Sequence, residues 1–184
     1  QGYGVSAPKE GNAQEIQYYE LIARYQLLRG LKLDLKALEA AERALAAAEA
    51  AFGAASEQTA QVLNDLGFLH HGQGQQAEAE ISHRRALEIR ERLFASDGPA
   101  VVQSLNNLAK VYHAQGRYDE AIALFTRSLM IAERHVSATD PFIIGVLEPY
   151  AASLRAGGKL DEAQAVETRL STIRASSTGK ETDE

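Results

Sequence analysis

Between Val102 and Pro141 the apolar residues fall in two sets. Leu105, Leu108, Ala109 and Tyr112 form the first, and Ala121, Leu124, Phe125 and Leu129 the second. Steps of three and four residues put each set on one face of a helix, so the stretch predicts two amphipathic helices. Gly116 interrupts the pattern between them, and two helices joined by a short Gly-containing link make a helical hairpin. Strand-like alternation of polar and apolar residues is absent. The expected fold class is therefore all-α.

The hairpin recurs. Leu21, Leu63, Leu105 and Leu147 are spaced by 42 residues, and so are Ala37, Ala79, Ala121 and Ala163. Gly74, Gly116 and Gly158 keep the same interval, as do Leu45, Leu87 and Leu129, and Pro99 pairs with Pro141. So many matches in one register mean an internal repeat. At these residues a family resemblance enters. Leu-x-x-Leu-Ala-x-x-Tyr from Leu105 to Tyr112, followed by Gly116, Ala121, Phe125 and Ser128, resembles the tetratricopeptide repeat. That repeat usually spans about 34 residues. The longer period, with the phrases LNNLAKVY and QGRYDEA, looks like the variety found in kinesin light chains and many bacterial proteins. The eight extra residues fit as about two more helical turns. The resemblance covers roughly Tyr18 to Arg174. It implies a right-handed α-solenoid of four helix-turn-helix hairpins, with the first helix of each pair on the concave side and the second on the convex side.

The repeat sets the domain organisation. Residues 1–12 read as a flexible arm and 13–175 as the repeat domain, with repeats at about 18–59, 60–101, 102–143 and 144–175. Residues 176–184 read as a disordered polar tail. Helices are expected at about 14–29, 34–52, 57–72, 76–94, 99–114, 118–135, 141–156 and 160–175. Gly30 ends the first, two residues short of the repeat register, and Asp34 is the expected cap of the second. Asp140-Pro141 reads as a helix start. Pro149 removes an N–H and crowds the carbonyl of Gly145, which predicts a kink. Glu167 replaces the Phe125 of the preceding unit. A charge there suits a last helix with nothing stacked on it.

Composition narrows the function. The formal net charge is −6, and a phosphate-binding surface needs clustered Lys and Arg, so nucleic acid is an unsuitable partner. There is no Cys, which removes disulfides and thiolate metal sites. No apolar run reaches the ~18 residues needed to span a bilayer. The opening QGYGVSAPKEGNAQ resembles the start of a mature chain after removal of a bacterial signal peptide. It points to export into the periplasm, with the cytoplasm as the alternative.

The candidate chemistry lies on the first helices. By spacing, the groove face carries Gln61, Asn64, Phe68 and His71 in the second unit and Gln103, Asn106, Lys110 and His113 in the third. In the fourth it carries Gly145, Glu148, Ala152 and Arg155. Recurring Gln, Asn and His would form polar ladders, and an Asn amide can both donate to and accept from a peptide backbone. In related repeats, groove Asn residues hold an extended peptide in this manner. The bland alternative is a solvated helix face. Lys110 and Arg155 are the only groove cations, with Glu148 against them, which weakens a carboxylate-clamp reading. His70 and His83 fall at the core positions Tyr112 and Phe125, so both are expected to pack inside. No set of three or four ligands marks a metal site, and no cofactor is expected. GQGQQAEAE and AGGKLDEA are hairpin turns, and the run Glu88–Arg92 reads as a solvated convex face. The sequence thus implies a non-enzymatic scaffold holding a protein or peptide segment in its concave groove. The alternative is an accessory subunit of a larger complex, docked through its convex face or helix ends.

Overall fold

The computed structural model describes residues 12–137 and 140–178, and among them the chain forms eight α-helices and no strand. They are α1 (Ala13–Gly30), α2 (Asp34–Phe52), α3 (Glu57–Gly72), α4 (Gln76–Leu93), α5 (Pro99–Ala114), α6 (Tyr118–His135), α7 (Pro141–Ala156) and α8 (Leu160–Thr178). Consecutive helices pair as four hairpins, which group into two compact units at residues 1–93 and 94–184.

In the first unit α1 packs on α2, α3 on α4, and α2 on α3. Tyr18, Leu21, Ile22 and Tyr25 of α1 meet the alanine face of α2, chiefly Ala37, Ala41, Ala44 and Ala48, together with Val62, Leu66 and Leu69 of α3. Alanine is the best helix former and its small side chain leaves room for the tyrosines. Tyr18 and Phe52 meet edge to face, with ring centroids 5.1 Å apart. In the second unit α5 packs on α6, α7 on α8, α6 on α7, and α5 also reaches α7. Ile143, Leu147 and Ala151 of α7 pack with Leu170 and Ile173 of α8. Phe125 of α6 lies 6.2 Å from the ring of Tyr150.

The repeat register holds at the level of burial. Ala37, Ala79, Ala121 and Ala163 are all 0% exposed, and Leu21, Leu63, Leu105 and Leu147 range only from 7% to 0%. Each buried Leu contributes about 1.5–3 kcal/mol from the apolar surface it removes from water.

The hairpin tips share one geometry. Gly74, Gly116 and Gly158 have φ of +76°, +75° and +78°, a region that glycine enters without steric cost. Each tip is closed by the same backbone bond, from Gln75 N–H to His70 O, Arg117 N–H to Tyr112 O and Lys159 N–H to Leu154 O, all 2.9 Å. The first tip repeats this bond from Leu33 N–H to Leu28 O at 3.0 Å. The misplaced glycine therefore leaves the turn intact. Lys32, in register with Gly74, adopts φ +56° itself, at a cost of roughly 1–2 kcal/mol for a residue with a Cβ.

Helix starts keep to the register too, with Ser56, Gly98 and Asp140 at the cap positions. Ser56 Oγ accepts from the Thr59 N–H at 3.1 Å, and Asp140 Oδ1 from the Phe142 N–H at 2.8 Å. Asp34 does not cap. It is the first residue of α2, and Leu33 holds the cap position with no side-chain bond. α7 continues through Pro149 to Ala156. The carbonyl that loses its donor belongs to Gly145, an exposed residue that water reaches. α4 stops at Leu93, just before Phe94, and α8 runs to Thr178, so the first residues of the expected tail are helical. The rest of that tail, and the expected arm up to residue 11, lie outside the described residues.

Candidate functional site

In the first unit α3 carries a polar line at Glu57, Gln61 and Asp65, spaced by four residues and so aligned along one face. Arg90 of α4, only 1% exposed, closes one end. Its guanidinium donates to Glu57 Oε1 at 2.9 Å and to Gln61 Oε1 at 2.9 Å. Gln61 Nε2 in turn donates to Asp65 Oδ1 at 3.4 Å. Burial pushes the Asp65 carboxyl up to about 6, while Arg29, the Gln61 bond and Arg90 pull the other way. Tyr18 and Tyr25 of α1 are both raised to about 12, first by burial. Arg29, on the last turn of α1, lays its guanidinium over the exposed ring of Phe68 at 4.6 Å. That contact is a cation–π pair at the surface of α1 and α3.

The predicted binding residues of this unit thus divide. Phe68 is exposed, and Gln61 is engaged by Arg90 and Asp65. Asn64 is 5% exposed, turned inward. His71 is half-buried, its Nδ1 2.8 Å from Gln76 Oε1. His83 is 2% exposed, as its register with Phe125 implied, and its ring lies where a Cβ on Gly67 would fall, at 2.6 Å. His70 is not a core residue. It is half-buried and its Nδ1 sits 2.7 Å from Gln75 Oε1 at the tip. Nor is the run Glu88–Arg92 wholly solvated, since Ile89 and Arg90 are buried. The repeat register points to Arg90, because Ala48 and Ala132 in equivalent places are both buried.

In the second unit Gln103 and Lys110 of α5 are exposed. Asn106 is turned toward α6, where its Oδ1 accepts from Ser128 Oγ at 2.7 Å. His113 turns toward α7, its Nδ1 2.9 Å from Ser153 Oγ and its ring 5.3 Å from that of Tyr118. On α7, Glu148 is ion-paired with Arg174, and Arg155 grips both carboxylate oxygens of Glu167 at 2.8 Å. Glu167 thus meets a cation where Phe125 meets Tyr150. His135 and Arg134 hydrogen-bond Asp97, which lies well below the usual carboxylate range, at about 2. Among the described residues no three His, Asp or Glu side chains come together as metal ligands, and no helix is long and apolar enough to cross a membrane.

Four hairpins in a single sequence register, with polar first-helix faces, define a helical repeat protein. The tetratricopeptide repeat family model matches residues 26–92 and 81–134, more than half of the chain. The chain belongs to that family. No curated protein matches the sequence. Solved structures share the fold. BtubC (BKLC) from P. vanneervenii superposes with a TM-score of 0.83 at 22% identity, covering 94% of this chain and 68% of that one. A putative kinesin light chain from Podosopora anserina gives 0.74 at 20% identity, covering 90% and 76%. MamA gives 0.66 at 14%, covering 93% and 84%. Proteins of this family serve in general as protein–protein interaction scaffolds.

Proposed function

We propose that the protein is a non-enzymatic scaffold that holds a segment of a partner protein on the exposed faces of its first helices. The observation that carries this reading is the set of exposed side chains those helices present within each unit. α3 offers Phe68 under the Arg29 guanidinium, and α5 offers Gln103 and Lys110. A ring and a cation at the surface give an extended segment both apolar area and charge to meet. Asn64 and Asn106 are engaged by the fold, so their substitution would report on folding rather than on binding.

The test starts with the partner captured from native extract and identified by mass spectrometry. Affinity is then measured for Phe68→Ala, Arg29→Ala and the double variant of this pair, and separately for Lys110→Ala, with thermal melts to show that each stays folded. Two lost contacts of about 0.5–1.5 kcal/mol each would weaken binding roughly 5- to 150-fold. Arg92→Ala, on an exposed position of α4, is the control and should leave affinity unchanged. If the double variant binds as wild type does while Arg92→Ala abolishes capture, the partner docks on the second helices. The protein is then an accessory subunit held by its outer surface.

A further inference from the structure

The tip of the α1–α2 hairpin departs from the other three. Leu27, Leu31, Leu33 and Leu35 are 64%, 60%, 42% and 76% exposed. The three tip positions Leu31, Leu33 and Leu35 correspond in register to Gln73, Gln75 and Ala77, to Gln115, Arg117 and Asp119, and to Gly157, Lys159 and Asp161. Three tips are polar or small, as a solvated turn should be. One carries a cluster of leucines, and contiguous exposed apolar surface marks an interaction site.

The charges on this tip say what covers it. From Leu31 the chain reads Leu-Lys-Leu-Asp-Leu-Lys, with Lys32, Asp34 and Lys36 all exposed between the leucines. From Leu31 to Leu35 the order is its own complement. If two copies meet about a two-fold axis near Leu33, Leu31 of each opposes Leu35 of the other, and Lys32 of each opposes Asp34 of the other. A two-fold interface must be self-complementary in this sense, because the same patch serves both sides. We propose that the α1–α2 tip is a homodimerisation surface whose occupant is the same tip of a second copy of this chain. Lys32 holds a left-handed conformation there, φ +56°, between the exposed Leu31 and Leu33.

The test is sedimentation equilibrium of the full chain across a wide concentration range. A monomer–dimer equilibrium is expected. Leu31→Glu with Leu35→Glu should raise the dimer Kd by about tenfold or more. Lys32→Asp and Asp34→Lys should each weaken the dimer, and the two together should restore it, since the swapped pair again meets its complement across the axis. Thermal melts of each variant separate loss of association from loss of fold. A chain that is monomeric at every concentration overturns the proposal, and so does a dimer indifferent to the leucine changes. A monomer that instead binds phosphatidylglycerol vesicles through these leucines would assign the tip to a lipid surface.

Discussion

His83 and Gly67 show how one residue constrains its neighbour. In register, Gly67 corresponds to Ala109 and Ala151, and His83 to Phe125. A Cβ on Gly67 would fall 2.6 Å from the imidazole, so the buried ring and the missing methyl go together. Gly67→Ala gains about 1 kcal/mol of helix propensity but overpacks the site at a typical cost of 1–3 kcal/mol. Chemical denaturation should show a net loss of stability, relieved when His83→Ala is added. A stabilised single variant would mean the ring moves aside freely. Asp65 sets a second constraint. Its folded pKa, about 6, lies above its ordinary value of 3.8. The folded state therefore binds its proton more tightly than the unfolded state does. Stability linked to this group is complete below about 3.8 and is lost as pH rises toward 6. Asp65→Asn should thus be more stable than wild type at pH 7, on the order of 1–3 kcal/mol, with the gap closing near pH 4. Parallel stability–pH curves for the two proteins would refute this. Neither constraint is legible in the sequence alone, because both arise where side chains from different helices meet.

At the scale of the helix and the hairpin, the sequence carried nearly everything. All eight helices stand where periodicity placed them, to within a few residues at the ends. A period of 42 residues is long enough that coincidences at Leu, Ala and Gly positions cannot be accidental, and most of them fall where the fold demands burial or a left-handed turn. Leu105 is 0% exposed, so Leu105→Ala should cost roughly 2–5 kcal/mol in equilibrium unfolding. A loss under about 0.5 kcal/mol would put it at the surface. The faces of the first helices were harder to read. Spacing alone put Asn64, Asn106 and His113 on the same stripe as Phe68 and Lys110. A stripe is broad, however, and its edges turn inward to neighbouring helices. Asn106 reaches Ser128 on one side and His113 reaches Ser153 on the other. The direction a polar side chain takes at such an edge depends on what the adjoining helix offers, and no single-helix pattern contains that.

For the whole molecule, the formal charge of −6 sits on a chain whose surface ion pairs link helices within each unit, from Arg85–Glu49 to Arg155–Glu167 and Arg169–Glu133. Exposed pairs of this kind contribute little one by one, typically under about 1 kcal/mol. Stability therefore rests on the alanine and leucine positions of the repeat, with the charges governing solubility and partner choice. The grouping of the hairpins into two units has a consequence during synthesis. Every residue that builds the first unit's core, from Tyr18 to Ile89, has been joined to the chain before α5 begins. Domains fold in the order they leave the ribosome. The first half can therefore bury its tyrosines while the second is still being made, and the nascent chain never has to keep both sets of apolar faces from water at once.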